Sequence, residues 1–238
     1  MSGYWDDPRV TRGMKEQLRR RRELLDAGQK ALGWKVALGA PAAKKMTGLA
    51  GPLVGFLMDS ALLSSGVTVS LAGWKKLMLE PEVAVYMAAD LPAGADRAAA
   101  GAAIGGLGPA FELADAVDPV DDLERLLAGN INHRNVILGV KDLSRAGCEM
   151  QGLSCRLVKN GEEAVRTADV QGNTGEVIEL VRSVADLLGA FGERLCAGQV
   201  IIGGSIVPPL WIEGGEEVVF HLEPVGSVAV GFAGKAGG

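Results

Sequence analysis

The stretch Leu79-Glu80-Pro81-Glu82-Val83-Ala84-Val85 sets two glutamates two residues apart at the head of an apolar run. A period of two is that of a strand, so Glu80 and Glu82 project from one face, their Cα atoms about 6.6 Å apart at roughly 3.3 Å per residue. Pro81 has no N–H for a ladder bond, which predicts a sheet edge or a strand end at this point. Two carboxylates so placed can flank one hard cation, and oxygen-only ligation favours Mg²⁺, Mn²⁺ or Ca²⁺ over zinc. A solvent-facing strand with ordinary charges has the same spacing.

The texture of this stretch continues along the chain. Short runs rich in Val, Ile and Leu predict strands at Trp34–Leu38, Val67–Leu71, Glu82–Met87, Cys155–Lys159, Gln199–Ile202, Glu217–Leu222 and Ser227–Phe232. Glycine contributes 34 of the 238 residues, roughly twice its usual share and without collagen periodicity, so many tight turns join these strands. Asn160-Gly161 is a two-residue hairpin signal. Helices are predicted over Asp96–Gly105, Asp121–Leu127 and Glu176–Phe191, the last from the stripe Val177, Leu180, Val181, Val184, Leu187 and Leu188. Residues 11–32, with Met14, Leu18, Leu25 and Leu32 at helical spacing, predict one amphipathic N-terminal helix. Its run Arg19–Arg22 sweeps about 300° of the helix surface, which suits a solvated face or a subunit contact better than one anion site.

Strands outnumber helices and do not alternate with them, which indicates an α+β protein built on a large mixed or antiparallel sheet system. The simplest division is a helical segment over residues 1–32 and one catalytic-size domain over 33–238.

Composition excludes several functions. A net charge of −5 argues against a basic nucleic-acid surface, and 5 % aromatic residues leave little for base stacking. Residues 1–12 do not read as a signal peptide, and no apolar run is long enough to span a bilayer. Cys148, Cys155 and Cys196 are odd in number and lack CxxC spacing, so neither a disulfide framework nor a zinc site is expected. A soluble, reduced, cytoplasmic protein is the expectation.

Further residues could carry chemistry. Glu112 lies in the apolar segment Gly108-Pro109-Ala110-Phe111-Glu112-Leu113-Ala114, where a carboxylate needs a metal or a cation as partner unless it faces water; Asp115 is a second candidate. Lys35, in Gly33-Trp34-Lys35-Val36-Ala37-Leu38, either snorkels to water or is a desolvated ammonium serving as proton donor or anion clamp. Asp59 ends another apolar run and could pair with it. Gly203-Gly204-Ser205 is a glycine-rich turn after a strand, whose N–H groups can hold a carboxylate.

Taken in order, Gly33–Leu38, Gly55–Asp59, Glu80–Ala84, Pro109–Leu113, Gly203–Ser205 and Gly226–Val230 resemble the fumarylacetoacetase-like superfamily, in its 2-keto-4-pentenoate hydratase/4-oxalocrotonate decarboxylase branch. Each piece is weak alone, and their collinearity from about residue 33 to residue 233 is specific. The resemblance implies a mixed β-roll or sandwich with peripheral helices. It implies Mg²⁺ or Mn²⁺ on the glutamates matching Glu80, Glu82 and Glu112, chelating the carboxylate and 2-oxygen of a 2-keto acid or its dienol. It gives Lys35 the part of charge stabiliser or proton relay, oriented by Asp59, with Ser205, Gly204 and Asn130 near the substrate. The activity implied is that of a metal-dependent lyase hydrating or decarboxylating a 2-keto-enoate or 2-hydroxydienoate. A carbon–carbon hydrolase, an oxaloacetate-type decarboxylase or a non-catalytic partner subunit of the same fold are the alternatives. A homo-oligomer is also implied, in keeping with the apolar stripe over 177–188.

The chain departs from the resemblance in two places. No early histidine–carboxylate pair is available, since the first histidine is His133, and this disfavours hydrolysis. In Gly129-Asn130-Ile131-Asn132-His133-Arg134, Asn130 is kept but its neighbours are bulkier than in relatives. His221, on a late strand, reads as structural.

Overall fold

A computed structural model describes residues 3–234. Helix α1 (Pro8–Asp26) opens on an Asp7 cap with Pro8 in its first turn. Strand β1 (Ala31–Ala37), helix α2 (Pro41–Thr47) and strands β2 (Leu53–Met58), β3 (Leu62–Leu63), β4 (Val67–Ser70) and β5 (Leu77–Met87) follow. Helix α3 (Arg97–Ala103), strand β6 (Ile104–Asp115), helix α4 (Leu123–Ala128) and strand β7 (His133–Leu138) form the middle of the chain. Then come the hairpin β8 (Ser154–Lys159) and β9 (Glu162–Thr167), helix α5 (Val177–Ala190), and strands β10 (Val200–Ser205), β11 (Leu210–Trp211), β12 (Glu217–Glu223) and β13 (Gly226–Ala233).

The α+β expectation agrees with this architecture. One mixed sheet runs β2-β1-β10-β5-β6-β7-β3, with β11 beside β5; a second runs β4-β13-β12-β8-β9. Pairing is antiparallel except between β1 and β10, β3 and β7, and β4 and β13. The sheets pack through β6, where Phe111 meets Phe220 with ring centroids 6.0 Å apart. Asn160 and Gly161 both take positive φ, as a type I′ hairpin turn demands. Among the described residues no helix is long and apolar enough to cross a membrane.

Several local expectations are corrected. The N-terminal helix ends at Asp26 rather than running to residue 32, because Gly28 takes φ +90° and breaks it; Leu32 lies in β1. Val10, Met14 and Leu18 of this helix lie in the same buried core as the sheets. Within Arg19–Arg22, Arg19 pairs with Glu16 and Glu23, whereas Arg21 is buried, bonds Glu193 and stacks over Trp34. The segment around Glu112 is a strand, although its run of small residues gives little strand signal. Pro81 is not at an edge: β5 is central, between β10 and β6. The backbone N and O of a strand residue point to the same side, and the Pro81 carbonyl accepts from Ile206 N at 2.9 Å. The missing donor therefore faces the gap where β10 has ended and β11 has not yet begun. The α5 stripe is buried inside the chain and needs no second subunit to cover it.

Candidate metal centre and cavity

The register of the large sheet assembles the site. Glu80 lies directly opposite Glu112 across β5 and β6, and Glu82 opposite Ala110. Strand alternation then puts Glu80, Glu82 and Glu112 on one face, in line with Lys35 of β1 and with a small apolar cluster of Leu57, Ala84, Ala110, Val136, Val200 and Ile202. In a flat sheet β1 and β6, separated by β10 and β5, would lie about 14 Å apart at ~4.8 Å per strand. Lys35 Nζ nevertheless stands 2.8 Å from Glu112 Oε1. The two long side chains lean towards each other across β10 and β5 on this face of the sheet.

One carboxylate oxygen from each of Glu80, Glu82 and Glu112 lies within 4.8 Å of the others. Glu82 and Glu112 are fully buried. Gly204 N–H donates to Glu82 Oε2 at 2.6 Å, and His133 Nδ1 lies 2.9 Å from Glu112 Oε1, the oxygen that Lys35 also contacts. Glu82 Oε1 and Glu112 Oε2 are buried with no partner among the described residues. A buried carboxylate oxygen with no donor is costly, and the two oxygens left over belong to two carboxylates of the same cluster. That is the arrangement a hard cation satisfies, so the residues present fit a divalent metal.

Charge balance gives the same answer. Burial, then the Glu112 charge, raises the Glu80 carboxyl from its ordinary 4.5 to about 7, with Lys35 opposing. Burial with the charges of Glu112 and Glu80 pushes Glu82 well up. Burial also works to raise Glu112, but Lys35 and His133 together hold it below the usual carboxylate range. For Lys35, burial works against the ammonium and the three glutamates more than restore it, so its pKa is raised. One ammonium cannot balance three carboxylates.

Beside the cluster opens a cavity of about 190 Å³, smaller than the usual drug-sized pocket. Lys35, Glu80 and Gly203–Ser205 line it, Asn132, Asn173 and Thr174 add neutral polar groups, and the remaining wall is largely aliphatic. The wall contains a strained turn. Asn130, Ile131 and Asn132 all take φ between +54° and +60°, a region costing roughly 1–2 kcal/mol per non-glycine residue and most unusual for a β-branched one. The turn points the Ile131 carbonyl at Lys35 Nζ, 3.4 Å away.

Not every candidate residue reaches the site. Asp59 is exposed at the far end of β2, four residues from Gly55, the residue paired with Lys35; its carboxylate accepts from Lys30 N. Asn130 is spent on the backbone: its Oδ1 accepts from Phe56 N at 2.8 Å and its Nδ2 donates to Phe56 O at 3.0 Å. A Cβ at Gly55 would come within 2.8 Å of that Oδ1, which explains the glycine. The Gly204 N–H is taken by Glu82, and Ser205 Oγ donates to Val207 O, so both serve the protein although they line the cavity. Asp115 accepts from Lys75 N, Lys76 N and Arg134, away from the cluster. His221 lies in the other sheet, opposite Arg156 and Ser227. The residue missed by sequence reasoning is His133, which a register shift between Leu113 and Ala114 brings to Glu112. It is not among the residues lining the cavity. All three cysteines are free.

No family profile matches the chain. Among curated proteins, it is 27 % identical over 215 residues to a 2-hydroxyhexa-2,4-dienoate hydratase of Comamonas testosteroni, covering 87 % of this chain and 80 % of the relative. Other curated relatives are named 4-oxalocrotonate decarboxylase and 2-keto-4-pentenoate hydratase. Among solved structures, a 4-oxalocrotonate decarboxylase from Pseudomonas putida G7, complexed with magnesium and adipate, superposes with a TM-score of 0.84 at 25 % identity, over 92 % of this chain and 84 % of that one. A fumarylpyruvate hydrolase from Pseudomonas aeruginosa, complexed with Mn²⁺ and pyruvate, matches at TM-score 0.66 over 87 % and 90 %; at 13 % identity this likeness is one of fold alone.

Proposed function

The chain is a homologue of the 2-keto-4-pentenoate hydratases and 4-oxalocrotonate decarboxylases with the fumarylacetoacetase-like fold, and on that premise we propose that it is a divalent-metal-dependent lyase acting on a 2-keto-enoate or 2-hydroxydienoate. The observation that carries this reading is the triad of half-buried Glu80 with buried Glu82 and Glu112, with two oxygens left over, beside a small cavity. A divalent ion held there, Mg²⁺ or Mn²⁺, would polarise a 2-oxo group and favour its enol form. The chain's own residues supply the rest. Gly204 N–H fixes Glu82, while Lys35 and His133 fix Glu112 by one oxygen and leave the other free. Lys35 is the one cation among the described residues of the cavity wall, and a 2-oxo acid held beside the cluster would develop its negative charge near this ammonium, where a preorganised charge lowers a barrier.

A hydrolytic role needs a histidine–carboxylate pair turned towards the substrate. His133 does pair with Glu112, but it is not among the residues lining the cavity. The reading carries with it a cytoplasmic setting and at least a homodimer, for which Val140 and Leu143, 67 % and 66 % exposed, offer apolar surface. Light scattering at micromolar concentration that returns the monomer mass would remove the dimer.

The decisive experiment is an assay of 2-hydroxydienoates and 2-keto diacids with Mg²⁺ and again with EDTA. Turnover of one substrate class that EDTA abolishes and Mg²⁺ restores is the expected result; metal-independent turnover, or none across the panel, would defeat the proposal.

A further inference from the structure

Donors are shared unevenly between the two oxygens of Glu112. Oε1 receives two, Lys35 Nζ at 2.8 Å and His133 Nδ1 at 2.9 Å, while the buried Oε2 receives none among the described residues. A carboxylate oxygen offers two lone pairs, so Oε1 is filled and Oε2 is open. Lys35 by itself would fill one lone pair and leave the other facing the cluster; His133 closes it.

His133 has no other polar work among the described residues. A carboxylate only accepts, so the contact with Glu112 places the imidazole proton on Nδ1. Nε2 is buried with no partner among the described residues. An unpaired buried nitrogen is unfavourable, and the one polar contact set against that cost is the contact to Glu112.

The strand pairing delivers this residue. Continuing the antiparallel register of Glu112 with Val136 and Leu113 with Asn135 would set Arg134 opposite Ala114, but the register shifts and His133 stands there instead. Residues directly opposite share a face, and Ala114 lies two positions from Glu112, so the irregularity turns His133 onto the face of the three glutamates. Arg134 is turned to Asp115 and stacks over Trp74. The cluster thus meets one directed donor where the regular register would have brought a guanidinium with five.

We propose that His133 is a positioning residue that completes the occupation of Glu112 Oε1, confines Glu112 to a single ligating oxygen and so makes the centre prefer small six-coordinate ions to Ca²⁺. This rests on the divalent-metal reading of the cluster. Ca²⁺ takes roughly six to eight oxygens and uses both oxygens of a carboxylate readily, whereas Mg²⁺ and Mn²⁺ are satisfied by six. A carboxylate that can offer one oxygen penalises the larger ion.

The test is titration calorimetry of the metal-free full chain with Mg²⁺, Mn²⁺ and Ca²⁺. On the unaltered chain Mn²⁺ should bind at least tenfold more tightly than Ca²⁺. His133→Phe keeps a ring and removes the donor, and should shift the ratio of Mn²⁺ to Ca²⁺ affinity towards Ca²⁺ at least fivefold. His133→Asn keeps an N–H donor at the same number of bonds from the backbone and should hold the ratio within about twofold of wild type. A residue that merely filled space would change the melting temperature and leave the ratio alone, so an unchanged ratio in folded His133→Phe would overturn the proposal. Ca²⁺ binding as tight as Mn²⁺ on the unaltered chain would overturn it too, whether or not the variants fold, and leave the metal reading standing. Failure of all three ions to bind the unaltered chain would remove both.

Discussion

Two buried acidic centres sit three residues apart on one strand and have opposite characters. At the end of β6, Asp115 accepts from two backbone N–H groups, of Lys75 and Lys76, and from the Arg134 guanidinium, which itself stacks over Trp74 at 4.1 Å. Burial works to raise this carboxyl, and those donors hold it below its ordinary value. Three positions earlier, Glu112 shares its face with Glu80 and Glu82, and the cluster retains two oxygens with no partner. The chain has met every need of one centre and left the other incomplete. A carboxylate saturated by its own chain is structural, whereas a cluster that its own chain leaves over-charged is built for something that arrives later.

The comparison is tested most strongly at Lys35. It is 1 % exposed and, among the described residues, is the ammonium set against three glutamates. Removing one partner of a buried pair costs about 3–5 kcal/mol, so Lys35→Met should lower the denaturation midpoint of the metal-free protein sharply. With saturating Mg²⁺, turnover should also fall about 10²- to 10³-fold. Turnover within a few-fold of wild type would make Lys35 a structural charge of the same kind as Arg134.

A smaller effect of unusual sign is expected at Glu82→Gln. Gln keeps an acceptor for Gly204 N–H and removes a like charge, so the metal-free protein should gain about 0.5–2 kcal/mol, in the range of other stabilising substitutions at strained sites. Mg²⁺ affinity measured by calorimetry should drop at least tenfold. Unchanged affinity would sink the metal assignment. Asp115→Ala should do the reverse. Stability falls by about 1–3 kcal/mol, since two N–H groups and a guanidinium lose their acceptor, and Mg²⁺ affinity stays within about twofold. Chemical denaturation and calorimetry on the same preparations separate the two centres.

The smallest expected effect is in the pH profile. Glu80 is raised from 4.5 to about 7, so between those values the folded chain binds more protons than the unfolded one. Metal-free stability from this group is therefore fully present below about pH 4.5 and declines as pH rises through about 7. Mg²⁺ needs the ionised carboxylates, so its stabilising increment should be small near pH 5 and grow through pH 7 to 8. An increment independent of pH in melting curves would break the contrast with Asp115, whose lowered carboxyl is already ionised throughout that range.

Much of this could be read from the chain before any coordinates. The period of two fixes Glu80 and Glu82 on one face whatever the strand pairs with. Asn160-Gly161 specifies its hairpin, and the stripe on α5 specifies a buried face, because both signals are local. The order of short motifs along 33–233 is enough to indicate the family resemblance. What the chain could not give locally is partnership across the sheet. Glu112 joins the pair because β6 lies against β5 in one register, and Lys35 reaches it from β1 across two intervening strands. His133 arrives through a register shift; Asn130 is drawn to the backbone of β2 and Asp59 to that of Lys30, away from the roles their positions in the motifs suggested. Pro81 stands in a central strand because its neighbour ends there, a fact about β10 and not about Pro81. Local periodicity decides which way a side chain points; only register and curvature, which depend on residues tens of positions away, decide what it meets.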